Sequence, residues 1–173
     1  MRWLLVGGIA AMAMVFTGST AAFGATQSMA SGGGITHDGA SFGFNAKDAE
    51  TGDFNYIGNT QLPVTVSGVD IPVGSNFHGH CFEYMHVNFV TSTQVRLFAQ
   101  CRGFFFVGGG PPVRGIVFIQ AHMTDNGEPG TNDRACIAFG LNRSPGTGDP
   151  GLFINDCIHG TLIQNGNIQV NPV

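Results

Sequence analysis

The sequence predicts an all-β protein, an antiparallel β-sandwich or flattened barrel of about eight to ten short strands. Apolar and polar side chains alternate in short runs, and a period of two is typical of strands. Clusters of Gly, Pro and Asn separate these runs and supply the turns between strands. After the N-terminal segment, no window has the apolar periodicity of a helix, so the domain is expected to contain strands alone.

The first 24 residues have the three parts of a secretory signal peptide. Arg2 supplies the positive start, residues 4–16 are uncharged and largely apolar, and Ala22 and Gly24 are small residues before a cut at Ala25. The apolar run is shorter than the roughly 20 residues of a membrane span. We therefore expect export, cleavage, no membrane span after cleavage, and a secreted, periplasmic or surface location.

The remaining chain suits a single domain. Residues 25–34 are mostly small or polar and are predicted to form a flexible Gly/Ser spacer, and residues 35–173 are long enough to bury a core.

Charged residues make up 10% of the sequence, the formal net charge is −4, and the basic residues are scattered. Nucleic-acid binding needs clustered Lys and Arg and is not expected. The partner is an unknown protein or glycan, and self-association is a further possibility.

Three short strands are predicted in the first half of the domain. Residues 40–46 and 52–58 each place two aromatic side chains on one face, and residues 62–66 alternate with the same period. Gly68 and the turn at residues 72–76 end this part of the chain.

Residues 78–89 and 93–107 form the clearest hairpin. If Thr91 is the apex, Cys81 lies directly opposite Cys101; a turn one residue later would make them diagonal neighbours on the same face. The face with the cysteines is rich in Val, Leu and Phe, so it is predicted to face the core. The same register pairs Tyr84 with Phe98 and His86 with Arg96 and assigns the opposite face to His78, His80, Phe82, Tyr84, His86 and Arg102.

The histidines on that opposite face have two interpretations. His78 and His80 lie two residues apart on one strand face and could bind Zn²⁺ or Cu²⁺. More commonly, such histidines are solvated or pack on aromatic neighbours, here Phe82 and Tyr84. The nearby run of phenylalanines at 104–106 must leave at least one ring on the outer face, and exposed aromatic patches often mark contact surfaces, unless a second sheet covers them.

A Gly/Pro break at residues 108–112 precedes strands predicted over residues 113–123, 134–141 and 152–163, with a last strand over 167–170. The strands at 134–141 and 152–163 would form a second hairpin. The expected neighbours in this hairpin are Cys136 with Cys157, Phe139 with Ile154, and Leu141 with Leu152.

Four cysteines in an exported chain are expected to form two disulfides. Spacing alone allows three connectivities, but the strand registers favour Cys81–Cys101 and Cys136–Cys157. Each bond would close a loop of roughly 20 residues, which is worth about 3 kcal/mol in the chain-entropy model.

The loop at residues 124–133 contains three carboxylates, those of Asp125, Glu128 and Asp133. These side chains, with loop carbonyls and amides, could hold Ca²⁺, which takes six to eight oxygen ligands. Their spacing does not match an EF-hand. The alternative is a turn in which the Asp and Asn side chains bind the backbone.

The sequence lacks a recognisable enzyme motif. Residues 39–43 match Gly-x-Ser-x-Gly around Ser41, but that nucleophile needs a following helix, and here a strand pattern follows. The glycines at 108–110 lack the Lys and Ser/Thr of a phosphate-binding loop. We expect a protein that is not an enzyme and that has no cofactor apart from the possible calcium ion.

Several of these motifs together resemble a known family. They are Gly43-Phe44, residues 52–56, the acidic loop from Thr124 to Gly130 with Asp133, Leu162, and Gly166-Asn167-Ile168. The pattern resembles the β modules of secreted bacterial proteins that often follow a choice-of-anchor domain. This resemblance implies an exported β domain, and it implies no activity because none is established for that family.

The sequence therefore predicts an exported, non-catalytic structural or binding module at the bacterial surface or in the extracellular space. The alternative is a Ca²⁺-dependent ligand- or glycan-binding domain, in which the acidic loop carries the ion.

Overall fold

A computed structural model of the protein describes residues 27–127, 130, 132–142, 151–155, 157 and 162–173. The predicted signal peptide lies outside these residues. The residues that are described form twelve strands and no α-helix. The strands are β1 (Met29–Ile35), β2 (Ser41–Lys47), β3 (Thr51–Asn59), β4 (Val64–Val66), β5 (Val69–Ile71), β6 (Asn76–Glu83), β7 (His86–Thr91), β8 (Gln94–Phe106), β9 (Val113–Thr124), β10 (Arg134–Gly140), β11 (Leu152–Asn155) and β12 (Asn165–Asn171).

The all-β antiparallel class is confirmed, as a single curled sheet that forms a half-barrel. Nine strands follow the order β11-β10-β9-β8-β6-β3-β2-β1-β12, β7 also pairs with β8, and β4 and β5 form a small separate sheet. The inner face of the curl is apolar and the outer face is mixed. No helix that is long and apolar enough to cross a membrane is found among the residues described.

Phenylalanine rings from four strands fill the inner face. Phe77 lies at their centre, with its ring centroid 4.9 Å from that of Phe105 and 5.0 Å from those of Phe139 and Phe153. All four side chains are fully buried. Two of these contacts are edge-to-face, an arrangement that adds about 0.5–1.5 kcal/mol per pair beyond the burial of area.

A row of glycines across three strands makes room for these rings. Gly79 of β6, Gly103 of β8 and Gly115 of β9 are cross-strand neighbours. A Cβ atom at Gly79 would lie 2.8 Å from the Phe139 ring, and one at Gly103 would lie 2.7 Å from Val117. A larger side chain at either position would displace the core.

The first hairpin follows the predicted register in one half and departs from it in the other. His80 lies opposite Arg102, as an apex at Thr91 requires. Beyond the break between β6 and β7, however, the register is shifted by two residues, and His86 lies opposite Phe98. The predicted pairs of Phe98 with Tyr84 and of Arg96 with His86 are therefore wrong.

Tyr84 lies at this break and is buried, contrary to its predicted place on the outer face. Its amide donates to the Glu50 carbonyl (3.0 Å), one position beyond the Thr51–Glu83 pair of β3 and β6. The hydroxyl donates to the Asp53 carbonyl at 2.6 Å. Burial, and then the charge of Asp53, raise the pKa of Tyr84 well above its usual range, so the hydroxyl stays protonated.

Residues 29–35, most of which were predicted to belong to a flexible spacer, form strand β1 between β2 and β12. Gly32, Gly33 and Gly34 pack against neighbouring backbones: a Cβ at Gly33 would lie 2.8 Å from the Phe42 carbonyl oxygen, and one at Gly34 would lie 2.7 Å from that of Asn165. The glycine run therefore permits close packing here, and the domain begins earlier than residue 35.

The second hairpin keeps the predicted pairing of Phe139 with Ile154. A bulge then places Leu152 opposite Gly140, where Leu141 was predicted. Strand β11 also ends at Asn155, well before the predicted end at 163.

Strand β12 is an edge strand, and the acidic loop supplies hydrogen bonds that a further strand would otherwise make. The Ile168 amide of β12 donates to Asp133 Oδ2 (2.7 Å), and the Val170 amide of β12 donates to Asp125 Oδ2 (3.1 Å). An edge strand with unpaired amides is a template for aggregation, so these two carboxylates both hold β12 and protect its edge.

The other oxygen of each carboxylate binds the loop itself. Asp133 Oδ1 accepts from the Asn126 amide, and Asp125 Oδ1 accepts from the Gly127 amide, both at 2.8 Å. Asp133 is fully buried. Each carboxylate thus joins the loop after β9 to the C-terminal strand.

We expect Asp133→Asn to lower the free energy of unfolding by about 2–3 kcal/mol, because it replaces a charged acceptor of two backbone amides with a group that has one acceptor atom. Asp125→Asn, at a partly exposed site, should cost about 1 kcal/mol. Urea denaturation followed by circular dichroism measures both. The exposed variant Asp38→Asn is the control, and an Asp133→Asn midpoint equal to that of the control would contradict this role.

Candidate functional site

The cysteines pair as predicted, and the two disulfides lie on opposite faces of the sheet. Cys81–Cys101, with a Cα–Cα distance of 4.3 Å, is buried on the inner face. Cys136–Cys157, at 4.4 Å, is partly exposed on the outer face. The first bond crosses β6 and β8, and the second fixes the segment that follows β11.

The predicted calcium ligands are only partly described. Asp125 and Asp133 lie in the same loop, and every carboxylate oxygen of the two accepts a backbone amide, as the capped-turn alternative requires. Glu128 lies outside the described residues. Within the described ranges, no three His, Cys, Asp or Glu side chains are grouped so that they could hold a metal ion. Calcium binding stays a prediction.

The outer-face histidines pack against phenylalanine rings. The ring centroids of His78 and Phe106 are 4.8 Å apart, and those of His80 and Phe82 are 4.2 Å apart. His86 lies further along and approaches Glu50, with 3.5 Å between Nδ1 and Oε1 at an exposed position. Of the two interpretations that the sequence left open, metal binding and packing on aromatic neighbours, the structure shows the packing. Phe106 is one of the aromatic neighbours, where Tyr84 was predicted.

Ser41 does not have the surroundings of a hydrolase nucleophile. It is the first residue of β2 and is exposed, and the chain continues from it as a strand. The strand, sharp turn and helix that expose such a serine are therefore missing around it.

The outer surface of β6, β8 and β9 combines aromatic rings with arginines. The Cζ atom of Arg102 lies 5.5 Å from the centroid of the Phe82 ring, and that of Arg114 lies 5.5 Å from the Phe104 ring. Both distances are within the range of cation–π contacts. We call this surface the aromatic–arginine face; its members are His78, His80, Phe82, Arg102, Phe104, Phe106, Arg114 and Ile116.

The aromatic–arginine face is open to solvent. Phe82 is 56% exposed, Ile116 53% and Phe106 38%. The sequence left open whether a second sheet covers the outer phenylalanines, and the single curled sheet leaves them uncovered. Clustered exposed apolar side chains on a protein surface often mark a site of contact.

Two adjoining depressions cross this face. The larger, about 440 Å³, is lined chiefly by Arg102, Phe104 and Arg114, with Ser67 at the margin. The smaller, about 310 Å³, is lined by His80, Phe82, Glu83, Gln100, Cys101, Arg102 and Ile116. Arg102 and Ile116 line both depressions, so the two adjoin, and we call them together the trough.

The two arginines of the trough have no carboxylate partner in the part of the chain that the structure describes, where the one ion pair joins His86 to Glu50. A guanidinium in a cation–π contact keeps N–H donors at its edge. Two of these donors can bind the two oxygens of a planar anion such as a carboxylate. Among the described residues that line the trough, Glu83 is the one carboxylate. The trough therefore offers apolar rings and free cationic donors together.

Sequence reasoning identified only part of this face. It placed His78, His80, Phe82 and Arg102 on the outer face but did not include the contribution of β9. The signal was present: continuing the turn at residues 108–112 as a hairpin places Arg114 opposite Phe104, as the structure shows.

A second outer cleft, of about 360 Å³, lies beside the Cys136–Cys157 disulfide. Here His122 has Arg96 and Cys136 as its cross-strand neighbours. Its Nε2 atom is buried and has no hydrogen-bond partner among the described residues. Burial, and then the charge of Arg96, lower the pKa of His122 below its usual value.

This shift predicts how stability depends on pH. Because the folded protein keeps His122 neutral at a pH at which the unfolded chain binds a proton, stability should fall as the pH drops through about 6.5, until the folded histidine also titrates. His122→Gln should reduce the difference between urea midpoints at pH 7.5 and pH 5.5. His78→Gln, at an outer-face histidine without an ion pair among the described residues, is the control. An unchanged difference in His122→Gln would refute the assignment.

Comparisons of this chain with models of known protein families, with curated proteins and with solved structures found no match. The resemblance to modules that follow a choice-of-anchor domain therefore stays a prediction from the residues that carry it. Function is argued below from the chemistry of the surface, because a fold alone does not determine it.

Proposed function

We propose that this protein is an exported, non-catalytic binding module that holds a glycan on its aromatic–arginine face. The observation that carries the proposal is the trough, in which exposed phenylalanine rings lie beside arginine donors. The C–H faces of sugar rings can lie on aromatic side chains while their polar groups bind N–H donors at the rim, which is the usual division of labour in a ligand site.

The shape of the trough favours a chain of sugars over a compact ligand. Its two depressions are open and adjoin at Arg102 and Ile116, so successive units of a polymer can occupy them in turn. The trough lies on the longest paired strands, β8 and β9, which are hydrogen-bonded over twelve residue pairs. A site on a rigid sheet needs little ordering when it binds, and this reduces the entropic cost of association.

Export is supported by two independent features. Both disulfides are of the kind that persist in oxidising compartments, and the sequence predicts a signal peptide over residues 1–24. The surface or the extracellular space is where a bacterial protein would meet a polysaccharide.

A binding role fits the side chains of the trough better than a catalytic one. His80, the residue there most suited to acid–base chemistry, packs on the Phe82 ring. Ser67, the hydroxyl at the margin, donates to the Arg114 carbonyl at 3.3 Å. A hydrolase would instead need a nucleophile or a pair of carboxylates directed at the ligand.

We expect the purified domain to bind one or more members of a polysaccharide panel in affinity electrophoresis and in calorimetry. Phe82→Ala should weaken that binding about tenfold, equal to about 1.4 kcal/mol, because it removes an exposed ring and the stacking support of Arg102. Leu62→Ala is the matched control, since Leu62 is similarly exposed (53%) and lies off the face. No binding by the wild type, or equal losses in the two variants, would refute the proposal.

The same titration repeated in EDTA separates this proposal from the calcium-dependent alternative. We expect unchanged affinity, because the described carboxylates of the acidic loop already bind backbone amides. Loss of binding in EDTA, restored by added Ca²⁺, would support the alternative.

A further inference from the structure

We infer that the bound glycan is an acidic polysaccharide, a polyuronate whose carboxylates are bound by Arg102 and Arg114. The inference rests on the proposed glycan-binding function and specifies the class of ligand. Its first support is the state of the two guanidinium groups. Each lies over a phenylalanine ring at 5.5 Å, and within the described residues neither has a carboxylate partner.

The ring contact restricts each guanidinium before an anion binds. The cation is attracted to the face of the ring, and N–H donors that do not contact the ring can bind both oxygens of a carboxylate. Because the arginine is already held, less side-chain entropy is lost when the anion binds.

The local charge of the face is opposite to that of the whole protein. The chain carries a formal net charge of −4, but Arg102 and Arg114 both lie on the outward side of the β8–β9 pair and line the trough. Glu83 at one side of the smaller depression is the opposing charge among the described lining residues. Such a cationic surface on an acidic protein attracts anionic polysaccharides and does not attract neutral ones.

The spacing of the arginines suits a repeating anion. Arg102 lies opposite Ile116, and Arg114 lies opposite Phe104, so the two arginines are diagonal neighbours on adjacent strands. The backbone positions of diagonal neighbours are roughly 7–8 Å apart. Arg102 lines both depressions and Arg114 lines the larger one, so a polymer with a carboxylate on each unit can meet both.

The test compares polygalacturonate with fully methyl-esterified polygalacturonate, which has the same backbone without the charge, by calorimetry in EDTA. We expect the wild type to bind the acidic polymer at least tenfold more tightly and to lose affinity as salt is added, because exposed charges are screened. Arg102→Gln and Arg114→Gln should each weaken binding of the acidic polymer about tenfold. Lys47→Gln removes the same charge from a position on β2 away from the face and should bind as the wild type does.

The outcomes separate this inference from the function on which it rests. Equal binding of the two polymers, weakened by Phe82→Ala but not by the arginine variants, would overturn the inference and leave glycan binding intact. Binding of dextran sulfate without binding of polygalacturonate would also overturn the carboxylate assignment. If no polysaccharide binds, both proposals fail. The melting temperature of each variant is compared with that of the wild type, so that weaker binding can be distinguished from unfolding.

Discussion

The hydrogen bonds that the amides of β12 donate to Asp125 and Asp133 are the constraint on which the rest of the structure depends. A half-barrel has a free edge, and its last strand is paired on one side alone. The two carboxylates bind that edge to the loop after β9, and β12 in turn pairs with β1 along seven residues. Both ends of the described chain are thereby held in the sheet, and the curl that encloses the core is maintained.

That curl separates the two uses of phenylalanine in this protein. On β8, Phe105 points inward and is fully buried, and its neighbours Phe104 and Phe106 point outward. Burial of a side chain such as Phe105 stabilises the fold by about 1.5–3 kcal/mol. Rings that stay partly exposed, such as Phe82 (56%) and Phe106 (38%), gain less of this energy. Folding therefore explains the inner rings more fully than the outer ones, which is the basis for proposing that the outer rings bind a ligand.

The sequence was sufficient where side chains alternate and insufficient where they do not. The disulfides and the pair Phe139–Ile154 followed from period-two patterns in two hairpins. Strand β1 was missed because its glycines have no side chains to alternate, although their smallness is what allows the strand to pack. Tyr84 was misplaced because it lies where the register against β8 shifts by two residues between β6 and β7. The trough joins separate strands, so single-strand patterns revealed only its β6 and β8 side.

The cation–π contacts also explain how the outer face can remain exposed before it meets a ligand. A bare patch of phenylalanine rings invites self-association. Here the Arg102 and Arg114 guanidinium groups lie over Phe82 and Phe104 and place a charge above each ring. Each contact leaves a charged group beside the ring and attracts the guanidinium to the ring face. The acidic sugar chain that we propose as the ligand would then bind arginines that already contact the rings.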